Sequence, residues 1–228
     1  MTTIYLIRHG QASVGTDNYD VLSKTGEAQS EALRQHLANT DIAFDAVYSG
    51  ALKRQRDTAT IATKDYATSL QINPAFDEYR HKQIFDKFLP ELARTDAEIG
   101  AALKDGSNGV MTQSVFTKLM MAWVEDRSIA SDFESWQQFN QRIADGIADI
   151  IDNNPDKTVA VFTSGGVITS IFRTIFHLQP AKTFAMNWNI NNCSITTVKH
   201  RDGSLTLREY NNISHLLLKR DKKLITQI

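Results

Sequence analysis

The sequence predicts an α/β fold, a three-layer α/β/α sandwich around a mostly parallel sheet with an antiparallel edge hairpin. Three observations carry that reading. Short apolar runs at residues 4–7, 46–48 and 158–163 each end in a polar or glycine-bearing step and are followed by helical spacing. Trp136, Phe139, Ile143, Ile147 and Ile150 step by three or four, which places them on one helix face. Residues 193–200 and 205–210 flank Arg201-Asp202-Gly203-Ser204, a hairpin signal. Strands that alternate with helices pair in parallel and are covered on both faces.

Residues 4–7 form a buried strand that opens onto a loop at Arg8-His9-Gly10. Glycine at position 10 permits a bend and lets a ligand approach the backbone. The polar loop 11–20 leads to Ser23, an N-cap, with Glu27 near the positive end of its helix and Ala28, Leu33 and Leu37 on the inner side. Residues 46–48 run into Ser49-Gly50 and a helix from 51 to about 63, and Pro74 stops a third strand at 70–73. From 76 to 131 the pattern turns helical, with helices at 84–103 and 114–125 separated by the loop 105–109. This segment reads as a cap inserted over one end of the sheet, within a single domain spanning 1–228. The helix bearing the Trp136 stripe ends at Asn153-Asn154-Pro155, and strand 158–163 turns through Ser164-Gly165-Gly166 into a helix at 167–176.

The 25 basic and 26 acidic side chains leave a net charge of −1, which supplies no overall field to hold nucleic acid or an anionic membrane. An anionic ligand must therefore be gripped locally. One cysteine, Cys193, excludes an internal disulfide and a multi-thiolate metal site. The first eight residues lack a basic leader, and the most apolar stretch, 158–176, is interrupted by Thr163-Ser164-Gly165-Gly166 and carries Arg173. The expectation is a soluble, cytoplasmic protein. Oligomeric state stays open, because Trp123, Trp136 and Leu216-Leu217-Leu218 suit either core or interface.

In doubly covered sheets the ligand site lies beyond the carboxyl ends of the strands. Arg8 there offers two-pronged recognition of phosphate or carboxylate, and His9 offers a nucleophile or proton carrier. Lys53, Arg54 and Arg56 follow the second strand end; one of them beside Arg8 completes a pocket for a doubly charged anion. The alternatives are a solvated basic face and a hydrogen-bonded turn histidine.

Further segments join these: Leu6-Ile7-Arg8-His9-Gly10-Gln11, Leu22-Ser23-Lys24-Thr25-Gly26-Glu27-Ala28-Gln29, and Tyr48-Ser49-Gly50-Ala51-Leu52-Lys53-Arg54 with Thr58-Ala59. Glu134-Ser135 with Arg142 and Ile143, residues 159–168, Asn192-Cys193-Ser194-Ile195-Thr196, and Asn212 with His215-Leu216 follow in order. With them the chain resembles the phosphoglycerate mutase-like branch of the histidine phosphatase superfamily over nearly its whole length. The resemblance implies a phosphoryl transfer in which His9 attacks phosphorus and forms a phosphohistidine that water hydrolyses. Arg8, Arg54, Gln11 and Ser164 would bind the phosphoryl group. Glu78, with Asp77 as its neighbouring alternative, would protonate the leaving oxygen, a role worth about 10²–10⁴-fold. Neither metal nor cofactor is implied, and the partner is a small phosphorylated substrate.

One position departs from the family. Its second histidine falls at Ser164, which can donate a hydrogen bond but brings no imidazolium charge. Losing one preorganised donor costs on the order of 10²–10³ in rate. His81, three residues after Glu78, is placed to swing in from the insertion, with Arg80 also near, or else is an exposed helix start; His36 and His200 read as surface residues, His177 as a helix end and His215 as a structural tail position, so none is a clear substitute. Three readings stay open: a phosphomonoesterase attenuated by Ser164, a weak or inactive relative that binds a phosphorylated ligand, and a mutase-type phosphotransferase. Ser164→His separates the possibilities: a rise in phosphatase activity means that Ser164 occupies the site in an attenuated enzyme, and no change alongside good native activity means that another group fills the role.

Overall fold

The computed structural model describes residues 1–13, 19–104, 112–128 and 133–227. In chain order these form β1 (Thr2–Arg8), α1 (Lys24–Ala38), β2 (Ala46–Ser49), α2 (Lys53–Ala62) and β3 (Leu70–Ile72). Next come α3 (His81–Thr95), α4 (Ala97–Lys104), α5 (Gln113–Glu125), α6 (Trp136–Asn153), β4 (Thr158–Thr163), α7 (Gly165–Phe176) and α8 (Pro180–Asn187). β5 (Ile195–Arg201), β6 (Ser204–Asn212) and α9 (Ser214–Leu217) complete the fold. One six-stranded sheet runs β3-β2-β4-β1-β5-β6. Its β3, β2, β4 and β1 are mutually parallel, while β5 pairs antiparallel with both β1 and β6.

Side chains of β1 alternate between two cores, as the period of a strand requires. Ile4 and Leu6 join Val159, Val161 and Val198 beneath Phe139, Ile143 and Ile147 of α6 and Ile168, Ile171 and Phe172 of α7. Ile7 joins Val47, Ala160, Phe162 and Ile195 beneath Leu33 and Leu37 of α1 and Ala59 and Ala62 of α2. Helices therefore cover both faces of the sheet, which is the three-layer sandwich. Each fully buried Leu, Ile or Phe contributes about 1.5–3 kcal/mol relative to exposure, so the two cores hold the layers together.

Several elements differ from the sequence reading. The helix expected at 84–103 is two helices, α3 and α4. Asp96 divides them: it caps the end of α3 in extended backbone, and its Oδ1 accepts from the amides of Glu98 at 3.0 Å and Ile99 at 3.2 Å at the start of α4. Helix α2 begins at Lys53 rather than 51, and α8 is an element that the apolar pattern did not announce. In α1, Ala28 points outward, and Gln29, Ser30, Leu33 and Leu37 are the buried side. Trp123 and Trp136 are core residues, as is Leu216, whereas Leu217 and Leu218 are exposed. The loop expected at 105–109 lies outside the described residues, as does Ser131, the expected end of the cap.

The parallel strands β2, β4 and β1 end on one edge, with Arg8 paired to Thr163 and Ser49 to Phe162. All three sequence-flagged strand ends therefore meet.

Candidate active site

Buried β1 delivers His9 to that edge, where its amide donates to the Thr163 carbonyl at 2.9 Å. The imidazole is buried and held at both nitrogens. Arg54 Nε donates to His9 Nε2 at 3.1 Å, and Nδ1 lies 2.7 Å from the Gly10 carbonyl. A guanidinium can only donate, so Nε2 is the acceptor and Nδ1 carries the proton. Burial, then the charges of Arg54 and Arg8, hold the His9 pKa well below the ordinary histidine range. The ring is thus neutral, with its lone pair directed from Nε2.

Of the basic residues in the first turn of α2, Arg54 turns inward; Lys53 and Arg56 are exposed, and Lys53 pairs with Asp57 at 2.7 Å. Asp20 steadies Arg54 through an ion pair at 2.8 Å and caps α2 by accepting from the Lys53 amide at 2.8 Å. Arg8 donates from Nη1 to the Ile190 carbonyl, and its buried Nε has no partner among the described residues. The protein thus holds a cation whose hydrogen-bonding capacity is not used up.

Glu78 follows the Pro74–Phe76 turn. Its Oε2 accepts from the Gly166 amide at 2.9 Å, at the N-terminus of α7, and its Oε1 from the Tyr79 amide at 3.1 Å. Burial pushes its pKa above the usual carboxylate range, against the pull of those amides and of Arg54 and Arg8. Asp77 accepts from the Ala51 amide at 2.5 Å and is also raised, again by burial. Arg142 holds this segment from α6: it binds Glu134 Oε1 at 2.5 Å and donates to the carbonyls of Ala75 at 2.8 Å and Asp77 at 2.9 Å. Glu78, Asp77, Arg80 and Arg142 line a cavity of about 590 Å³.

Ser164 stands at the N-cap position of α7 and is fully buried, and its Oγ accepts from Gln55 Nε2 at 2.8 Å. Gln11 lies beside the group, but its Oε1 accepts from the Ser23 hydroxyl at 2.8 Å and its amide donates to Gln29 Oε1 at 2.8 Å. It ties the His9 loop to α1. Gly10 owes its identity to the same packing: a Cβ there would stand 2.6 Å from the Gly26 carbonyl oxygen, and its φ is not in the left-handed region.

His81, expected to be exposed, is half-buried at the first position of α3, its ring 4.4 Å from that of Tyr79. Burial, with the charges of Arg54 and Arg8, brings its pKa down to about 4. His36 is half-buried and stacks on buried His215 at 5.4 Å. His177 is the left-handed C-cap of α7. Among the described residues, no three His, Cys, Asp or Glu side chains are arranged to hold a metal ion.

Sequence reasoning missed Gln55, Asp20 and Asn192. Asn192 donates from Nδ2 to the His9 carbonyl at 3.2 Å and accepts from Thr226 at 2.8 Å. The only available signal for Gln55 was a polar residue one place after Arg54, on what read as a solvated helix start.

This arrangement lies within a family match. The sequence profile of the histidine phosphatase superfamily (branch 1) matches residues 4–213, and the chain belongs to that superfamily. It is 25% identical over 224 residues to a metal-independent phosphoserine phosphatase of Arabidopsis thaliana, covering 95% of this chain and 84% of that protein. Among solved structures, it is similar to a mutant phosphoserine phosphatase from Entamoeba histolytica in complex with phosphoserine, with a TM-score of 0.67 and 20% identity over 95% of this chain and 100% of that one. It is equally similar to the phosphoglycerate mutase of Bacillus anthracis str. Sterne, with a TM-score of 0.67 and 19% identity over 96% and 97% of the two chains.

Proposed function

We propose that the protein hydrolyses phosphate monoesters of small molecules through a phosphohistidine on His9, without a metal. The observation that carries this reading is a neutral, buried imidazole whose Nε2 lone pair is gripped by one arginine while a second keeps a buried, unpartnered N–H. Such a pair of cations stabilises the charge on the equatorial phosphoryl oxygens, where catalysis of this reaction chiefly lies.

In the first step Arg54 Nε exchanges His9 Nε2 for a phosphoryl oxygen. Nε2 then forms the bond to phosphorus as the bond to the leaving oxygen breaks. The proton left on Nδ1 faces the Gly10 carbonyl, which keeps the ring oriented. Glu78, whose raised pKa favours the acid form, gives its proton to the leaving oxygen. In the second step Glu78 takes a proton from water, the water oxygen bonds to phosphorus, and the P–N bond breaks. Orthophosphate leaves and both residues return to their starting states. Arg8, Arg54 and the Ser164 hydroxyl are assigned to the phosphoryl oxygens, and Gln11 to the support of the His9 loop and of phosphate at its edge.

The cavity beside Glu78 is assigned to the leaving group, and the helical segment 76–131 to the cap that selects it. Phosphoserine, named for the Arabidopsis relative, is the first physiological compound to assay. The decisive experiment is hydrolysis of p-nitrophenyl phosphate in excess EDTA by wild type and His9→Ala. Turnover that the substitution removes is expected; equal rates would reject the mechanism. Phosphate binding that needs Arg8 and Arg54 but never gives turnover would instead support a ligand-binding relative, the reading that Ser164 motivates.

A further inference from the structure

Ser164 occupies an N-cap yet does not cap. Serine is among the preferred residues at that position because its oxygen accepts from the amides of the first turn, but here the side chain makes no such bond. The Gly166 amide is taken by Glu78 at 2.9 Å instead. The hydroxyl is turned toward α2, where Gln55 Nε2 donates to it at 2.8 Å. The second amide proton of Gln55 goes to the Phe76 carbonyl at 3.0 Å. That second bond determines the orientation of the amide, because the amide oxygen in its place would face another oxygen.

Ser164 Oγ is therefore an acceptor from Gln55, and no acceptor engages its own proton among the described residues. Its position gives that proton a use. Ser164 follows Thr163, whose carbonyl accepts from the His9 amide at 2.9 Å, so Ser164 leaves β4 at the strand end where His9 leaves β1. Gln55 and Ser164 are both fully buried, and Gln55 keeps this geometry although its own Oε1 has no partner among the described residues. A buried polar atom left unsatisfied in this way calls for a reason beyond stability.

We propose that Gln55 and Ser164 act as one unit, in which the Gln55 amide orients the Ser164 hydroxyl as a donor to the phosphoryl group and fills the space a larger side chain at 164 would need. Gln55 is a positioning residue, since it acts through Ser164. The proposal rests on the phosphatase reading above. It also adds a steric outcome for Ser164→His: a ring grown from the same Cβ meets the Gln55 amide, already in hydrogen-bond contact with the hydroxyl, so the single substitution overpacks the site and does not raise the rate. Room for the ring appears only with Gln55→Ala.

Steady-state kinetics on p-nitrophenyl phosphate test the unit. Gln55→Met keeps the volume and removes both amide donors. Ser164→Ala is expected to lower kcat by on the order of 10²–10³-fold. Gln55→Met should lower kcat by about tenfold, with KM and the affinity for inorganic phosphate nearly unchanged, and it should cost nothing further once residue 164 is alanine. Gln55→Ala with Ser164→His should exceed Ser164→His alone in kcat. Equal factors for Gln55→Met in the serine and alanine backgrounds, or a gain from Ser164→His alone, would overturn the unit while leaving the His9 mechanism intact. A wild type without His9-dependent turnover would overturn both.

Discussion

His9 shows how burial shapes the side chain proposed as the nucleophile. Taken out of water between two guanidiniums, it has a pKa well below that of a histidine in water, so that at neutral pH the imidazole is unprotonated at Nε2. Glu78 is perturbed the opposite way by the same burial, so the two groups that must differ in protonation are driven apart by one environment. The consequence is a dependence on leaving group. Glu78→Gln should lower kcat by about 10²–10⁴-fold for an alkyl phosphate and far less for p-nitrophenyl phosphate, whose leaving oxygen needs little protonation. Comparison of the two substrates measures this, and equal losses would argue against Glu78 as the acid. Cys193, by contrast, has its pKa pushed up to about 12 by burial and is not a nucleophile of this site.

At the scale of elements, Glu78, the proposed acid, is placed by a helix that does not carry it. The Pro74–Phe76 turn and the residues after it are held by Arg142 of α6, anchored in turn by Glu134. Removing that side chain leaves two carbonyls to find water and frees the strand-to-helix connection. Arg142→Ala should cost about 1–3 kcal/mol of stability and lower kcat more than phosphate affinity. Urea denaturation and calorimetric titration with inorganic phosphate read the two effects separately, and an unchanged kcat in a folded variant would refute the positioning role. Elements also show where sequence patterns fail. A continuous helical stretch at 84–103 hid the Asp96 break, because a side-chain cap competes with the apolar periodicity without interrupting it. Helix α8 went unseen because its buried side is only Thr183 and Phe184.

For the whole molecule, the perturbed histidines set the response to acid. His81 and His215 have pKa values lowered to about 4, both chiefly by burial, and His9 is lowered as well. The unfolded chain takes up these protons near the ordinary histidine value, so it binds more protons than the folded chain below that point. Stability therefore declines as pH falls from about 6.5 toward 4, by roughly 1.4 kcal/mol per pH unit for each fully engaged group. Glu78 and Asp77, raised by burial, act in the opposite sense above the ordinary carboxylate range and offset part of the decline. Urea midpoints at pH 7, 6 and 5 should fall in that order, and His215→Asn should flatten the trend. A flat wild-type profile would contradict the assignment.

The sequence by itself determined the layers and the strand ends, because both are written in local chemistry: apolar runs of strand length, helical spacing, and polar residues where each run stops. It also brought Arg8, His9, Arg54, Glu78 and Ser164 forward as candidates, through the motifs shared with the family. Tertiary structure alone decided that Gln11 binds Ser23 and that His81 is half-buried rather than exposed. It alone also joined Gln55 to Ser164 across 109 residues. A hydrogen bond between distant side chains leaves no period or spacing in the chain. It exists only once α2 and the end of β4 have been packed against the same sheet edge.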